Sequence, residues 1–229
     1  IQELIDRQIE YNERIAQEGM QKEYGVSVGA NLVKYYGNDV QVRARAMAAA
    51  GSDARMSGCL YPVVINSGSG NQGITVSVPV IEYAKEMGVS HEKLVRALVF
   101  SNLIAIHQKT GIGRLSAYCG AVSAACGAGA GITYLSGGSY EQICATITNT
   151  LANVSGMICD GAKPSCAAKI ATAVDAAIMA HCLSMEAEEF QPGDGIVKDT
   201  VENTIESVCE IASQGMNVTD AKILEIMVR

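Results

Sequence analysis

The chain has 229 residues, 48% hydrophobic and 18% charged, with a formal net charge of −7 at pH 7. Those figures exclude a disordered chain and allow one sizeable core. The acidic balance, with a pI near 5.0, argues against a nucleic-acid partner or an anionic membrane surface. Much of the apolar content is alanine, with no Trp and only two Phe, which points to close-packed helices with small residues at their contacts.

In chain order the pattern reads as helix after helix. Ile1, Leu4, Ile5, Ile9 and Ile15 recur on roughly one face and predict a first helix over residues 1–22. Because that helix opens at Ile1 with no initiator Met, the chain is expected to be a fragment lacking something N-terminal. A second helix is expected over 40–50, through Ala44, Ala46, Ala48, Ala49 and Ala50. Pro79 suits a first helical position and Gly88 a closing cap. Ser90 caps a helix to about His107, with Val95, Leu98, Val99 and Ile106 on one side. Gly111 and Gly113 break the chain before a helix from about Arg114 to Gly127. Ser139 and Gln142 have capping-box spacing and open a helix to about Met157. Further helices are expected from about Ser165 to Met185 and, after the loop 191–195, near 198–213 and 219–228. Only Leu60–Ile65 and Ile74–Val78 look β-like. The fold class is therefore all-α: a single bundle of packed helices over residues 1–229, with Gly-rich loops carrying the site.

The run Ala121 to Leu135, interrupted by Gly127, Gly129 and Gly131, is too short and Gly-rich to span a membrane. No secretory pattern is visible. Eight cysteines without one fit a reducing, cytoplasmic setting better than a disulfide framework.

Four of the cysteines form two pairs of one spacing: Cys119 with Cys126, and Cys159 with Cys166. On a helix, residues seven apart stand ~10 Å apart along the axis. Such a pair shares a face but is too far apart for a disulfide and poorly placed to hold one compact cluster. The segment 119–126 looks helical, so at most one of Cys119 and Cys126 is expected to be a ligand. Between Cys159 and Cys166, Gly161 and Pro164 interrupt a helix, so a loop can bring both thiols to one centre. Cys166 then falls in the first turn of the next helix, where the positive helix end and free N–H groups favour a thiolate. The set is Cys159, Cys166 and one of Cys119 or Cys126. Three thiolates suit a 4Fe–4S cluster with one iron left open. Structural zinc fits less well, because the usual C-x2–4-C spacing is absent. Cys59, Cys144, Cys182 and Cys209 read as small buried hydrophobes.

Two polar loops accompany the cysteines. Residues 66–73, Asn-Ser-Gly-Ser-Gly-Asn-Gln-Gly, interleave amide and hydroxyl side chains with glycines that let a ligand approach the backbone. No Lys stands where a Walker A loop needs one. Residues 107–114 gather His107, Lys109 and Arg114 just before Cys119, and either cation suits a substrate carboxylate. His107 reads as a surface or capping residue. Asp53 with Arg55, and Asp160 with Lys163, read as local ion pairs.

Three segments, Ser-Gly-Asn-Gln-Gly at 69–73, Gly-Arg-Leu-Ser-Ala-Tyr-Cys-Gly-Ala at 113–121 and Cys-Asp-Gly-Ala-Lys-Pro-Ser-Cys at 159–166, together resemble the L-cysteine desulfidase family. That family belongs with the α-chain domain of iron–sulfur L-serine dehydratases. The resemblance runs from roughly Gly51 to Met185 and implies the C-terminal half of a protein about twice as long. It implies a mostly helical fold and a 4Fe–4S cluster on Cys119, Cys159 and Cys166, selecting Cys119 over Cys126. It also implies conversion of L-cysteine and water to pyruvate, ammonia and hydrogen sulfide without pyridoxal phosphate. On that reading the N-terminal half helps close the site and supplies the base, so this chain alone is expected to turn over little. Ser67, Asn71, Gln72, Lys109 and Arg114 are the candidates for holding the carboxylate and amino group of a small amino-acid substrate. A homo-oligomer is compatible with this reading. The alternatives are L-serine deamination on the same scaffold, or a non-catalytic helical relative.

Overall fold

The computed structural model describes residues 1–113 and 115–229. Ten α-helices are found among the described residues: α1 Gln2–Gln21, α2 Val28–Tyr36, α3 Val40–Met56, α4 Gly70–Met87, α5 His91–Ile112, α6 Gly120–Leu135, α7 Tyr140–Val154, α8 Cys166–Met185, α9 Val201–Glu210 and α10 Asn217–Met227. A π-helical turn, Ile211–Gly215, joins α9 to α10. No strand occurs among the described residues; two isolated bridges, Asn66 with Ser69 and Tyr118 with Ile158, are the β-type pairings. The all-α expectation holds.

Side-chain caps fix the helix starts. Asp39, Ser69, Ser90, Ser139 and Thr200 each accept a backbone N–H in the first turn of α3, α4, α5, α7 and α9. Ser139 and Gln142 complete the expected capping box.

At the centre lies α6, in which every residue but Tyr134 is buried. It packs against α4, α5, α7 and α8. A Cβ on Gly127 would stand 2.5 Å from the Ser101 carbonyl oxygen of α5. The glycines that read as a helix end therefore continue the helix and let α5 approach closely. This corrects the expected span: α6 begins at Gly120 rather than near 114 and runs on to Leu135, and α5 extends past His107 to Ile112.

Three further differences have physical causes. Helix α2 is absent from the expected set; it is nine residues long, with only Gly29 fully buried on it, so its periodicity is weak. The β-like run Ile74–Val78 lies inside α4, where Ile74, Val76, Val78 and Val80 are all buried. A helix covered on every side loses the polar stripe that marks helical period. Pro79 sits within α4 rather than at its start, removing one backbone hydrogen bond that surrounding packing compensates.

Leu60–Ile65, the other β-like run, is extended and held by a buried side chain from α1. The Asn12 amide donates to the carbonyls of Val64 (3.1 Å) and Gly73 (3.0 Å), and to Ser77 Oγ (3.0 Å). The Val64 N–H donates back to Asn12 Oδ1 at 2.8 Å. This is how the loop 66–69 and the start of α4 are positioned.

The helix Cys166–Met185 is long and apolar enough to cross a membrane by composition. Here it is a core element: Ile170, Ala173, Val174 and Ala177 belong to the main apolar cluster.

Candidate metal centre

Three separate segments bring their cysteines to one small cavity of about 90 Å³. Its lining includes Cys119, Cys159 and Cys166, with Ser69, Asn71 and Gln72 from α4 and Lys169 from α8. Cys119 is the N-cap residue of α6. Cys159 lies in the non-helical stretch between α7 and α8, and Cys166 opens α8. The tertiary contact that sets Cys119 beside Cys159 is a two-bond staple. The Cys119 N–H donates to the Met157 carbonyl (3.0 Å), and the Cys159 N–H donates to the Ala117 carbonyl (2.6 Å). The loop from 159 to 166 closes on itself: the Lys163 N–H meets Cys166 Sγ at 3.4 Å, and that thiol faces the Gly161 carbonyl at 3.6 Å.

The Cys119 thiol, in contact with Cys159 and 7% exposed, is pushed well above the ordinary thiol range. Cys159 accepts from it and is drawn down to about 6, with the Gly161 N–H and the Lys169 charge acting in the same direction. Cys126 is different. It is fully buried on α6, its thiol pointing toward the Ile147 carbonyl, and burial pushes it up to about 12. Its place is in the core, away from the cavity.

Three thiols around one cavity are a donor set able to hold a metal or an iron–sulfur centre. No three His, Cys, Asp or Glu side chains among the described residues are close enough to hold a single ion.

The polar candidates divide between two places. Asn71 and Gln72 line the cysteine cavity. Ser67, in left-handed backbone with φ 49°, donates to Asn66 Oδ1 and lines a larger open cleft with Lys109, Thr110 and Gly113. Burial holds the Lys109 amine below the ordinary lysine range, opposed by attraction to Cys159 and Cys119. Arg114 lies outside the described residues. His107 is a surface residue paired with Glu202 Oε2 at 2.7 Å.

Neither expected local ion pair forms. Asp53 is buried and accepts from the Gly29 N–H at 3.4 Å. Arg55 instead leans on Asn71 Oδ1, at 3.4 Å. Asp160 pairs with Lys169 rather than Lys163. Lys169 and Arg55 are thus site-side cations that the sequence did not reveal. The one available signal for Lys169 was its position a turn beyond Cys166 on the same helix face.

The fold and the cavity define a helical protein that presents three cysteine thiols to one pocket beside a Gly- and amide-rich helix start. The serine dehydratase alpha chain family model matches residues 1–225, and the chain belongs to that family, one of lyases of the dehydratase type. It is similar to a protein called UPF0597 protein in Lachnoclostridium phytofermentans, 64% identical over 227 residues, covering 99% of this chain and 54% of that one. A relative of the same designation in Desulfitobacterium hafniense is 60% identical over 227 residues, with 99% and 53% coverage. A third, in Treponema denticola, is 57% identical over 231 residues, with 99% and 54% coverage. The chain spans about half the length of the curated relatives it matches.

Proposed function

We propose that this chain is the cluster-bearing part of an iron–sulfur lyase that eliminates the β-substituent of L-cysteine, giving pyruvate, ammonia and hydrogen sulfide. The observation that carries the reading is the convergence of Cys119, Cys159 and Cys166 on one cavity whose wall also includes Ser69, Asn71, Gln72 and Lys169. Family membership supports the lyase class. A 4Fe–4S cluster held by the three thiolates would supply an open iron, a Lewis acid for the departing group.

The protein's own residues bind and orient. The amides of Asn71 and Gln72 are placed to hydrogen-bond a substrate's carboxylate or amino group at the cavity wall. The free N–H groups at the start of α4 add to an anion's stabilisation there. Lys109, across the neighbouring cleft with Ser67, supplies a cation for a carboxylate. The general base that takes the Cα proton is assigned to the rest of the longer protein.

Gly120 holds this arrangement open, because a Cβ there would stand 2.5 Å from the Gln72 side-chain amide. That amide is the end of a flexible side chain, so Gly120→Ala is expected to displace Gln72 rather than unfold α6. We expect about a tenfold loss in kcat/KM, equivalent to about 1.4 kcal/mol, with the melting temperature nearly unchanged. Steady-state kinetics beside a thermal melt checks both.

L-serine is the second substrate reading, favoured by the family's own description. The deciding experiment is an anaerobic assay on the reconstituted full-length protein, measuring sulfide and pyruvate from L-cysteine beside pyruvate from L-serine, with iron determined on the same sample. Cluster-dependent sulfide release supports the desulfidase reading. Pyruvate from serine alone moves the enzyme to the dehydratase branch. A full cluster with neither product overturns the lyase reading.

A further inference from the structure

Lys169 is the one cationic side chain among the described residues lining the cysteine cavity. It sits three residues beyond Cys166 on α8, hence on the same helix face, and its side chain is only 20% exposed. Its ammonium is paired with the carboxylate of Asp160, the residue that follows Cys159. The ion pair therefore ties the segment carrying Cys159 to the helix carrying Cys166, across the interrupted loop between them.

Its electrostatic position is equally specific. Lys169 lines the same cavity as Cys119, Cys159 and Cys166. Gathering three thiolates in a small, poorly solvated cavity is opposed by their mutual repulsion, and Asp160 next to Cys159 adds a fourth negative charge. Lys169 offsets that repulsion, and by pairing with Asp160 it screens the carboxylate from Cys159. Lys163, by contrast, is exposed on the loop.

We propose that Lys169, anchored by Asp160, is the positioning cation of this site: its charge offsets the negative charge gathered at Cys119, Cys159 and Cys166, and it raises the reduction potential of the cluster they hold. This deepens the cluster reading above and rests on it.

The test uses the full-length protein, reconstituted with iron and sulfide without oxygen. It compares wild type with Lys169→Met, Lys169→Gln, Lys169→Arg and Asp160→Asn. The readouts are iron and labile sulfide per chain, the rate of iron loss to a chelator, the cluster's reduction potential and the thermal melt. Lys169→Met and Lys169→Gln are expected to lose iron at least about tenfold faster, within the range usual for outer partners of metal ligands, and to show a more negative potential. Lys169→Arg, which keeps the charge, is expected to restore both. Asp160→Asn is expected to give a smaller loss, since the cation survives without its anchor. Lys169→Gln removes the charge while keeping a polar side chain, so it decides the matter if Lys169→Met fails to fold. Wild-type iron retention and potential in Lys169→Gln overturn the inference. A wild-type protein that takes up no iron overturns the cluster reading itself, and this inference with it.

Discussion

Cys119→Ser, Cys159→Ser and Cys166→Ser are each expected to leave the reconstituted full-length protein without its cluster and without lyase turnover, while Cys126→Ser keeps both. The first three side chains line one cavity from three directions, and a hydroxyl is a poor ligand for iron beside a thiolate. The loss in cluster affinity should exceed the 10–100-fold typical of outer-shell partners. Cys126 is as close in sequence to Cys119 as Cys166 is to Cys159, yet it is fully buried in the core against Ile147. Its replacement by Ser exchanges a small apolar group for a buried hydroxyl, at about 1–3 kcal/mol where that hydroxyl finds no partner. The prediction is therefore a separation of effects. Iron and labile sulfide fall for three variants at near-normal melting temperature, and the melting temperature falls for the fourth at normal iron. Iron loss in Cys126→Ser with retention in Cys119→Ser would reverse the ligand assignment.

Gly73→Ala is expected to produce a large loss of stability from a single added methyl group. The new Cβ would lie 2.0 Å from the Val64 carbonyl oxygen and 2.9 Å from Ile65 Cα. Both neighbours are backbone, so no rotamer change relieves the overlap. The segment that would have to move is also the one Asn12 holds through Val64 and Gly73. Displacing it strands buried polar groups as well as straining the packing. The expected cost is at least about 3 kcal/mol, corresponding to a drop of about 6–12 °C for a chain of this size. Gly156→Ala, where an added Cβ meets nothing within 4 Å, is the control and should stay within about 0.5 kcal/mol. Equal melting temperatures for the two variants would show that residues 60–65 are not clamped between α1 and α4. Because Asn71 and Gln72 stand immediately before Gly73, the first variant should also weaken the site.

Local chemistry made most of the helices legible. Helix starts at Ser90 and Ser139 follow from a short side-chain oxygen meeting the free N–H groups of the first turn, and the structure places α5 and α7 there. The break between Cys159 and Cys166 follows likewise from Gly161 and Pro164, and the residues between α7 and α8 are non-helical. What depends on neighbours was not legible. The glycines of α6 looked like a terminus because, one residue at a time, glycine weakens a helix; packed against Ser101 it is what fits. The buried run in α4 looked like a strand because burial on all sides erases helical period.

The same boundary runs through the site. The sequence by itself determined an acidic, alanine-rich, all-helical chain, a cysteine loop able to fold back on itself, and two polar loops near it. These are matters of composition and of backbone preference over a few residues. The residues alone left Cys119 and Cys126 open and only the family resemblance chose between them; the tertiary structure sets Cys119 beside Cys159, through the hydrogen bonds joining Ala117 and Cys119 to Cys159 and Met157. It also separated Asn71 and Gln72 from Ser67 and Lys109, and gave Asp160 a partner nine residues away instead of three. Each of those outcomes depends on which helix faces which, and that is settled by the packing of small residues around α6, a property of the whole chain and of no single segment.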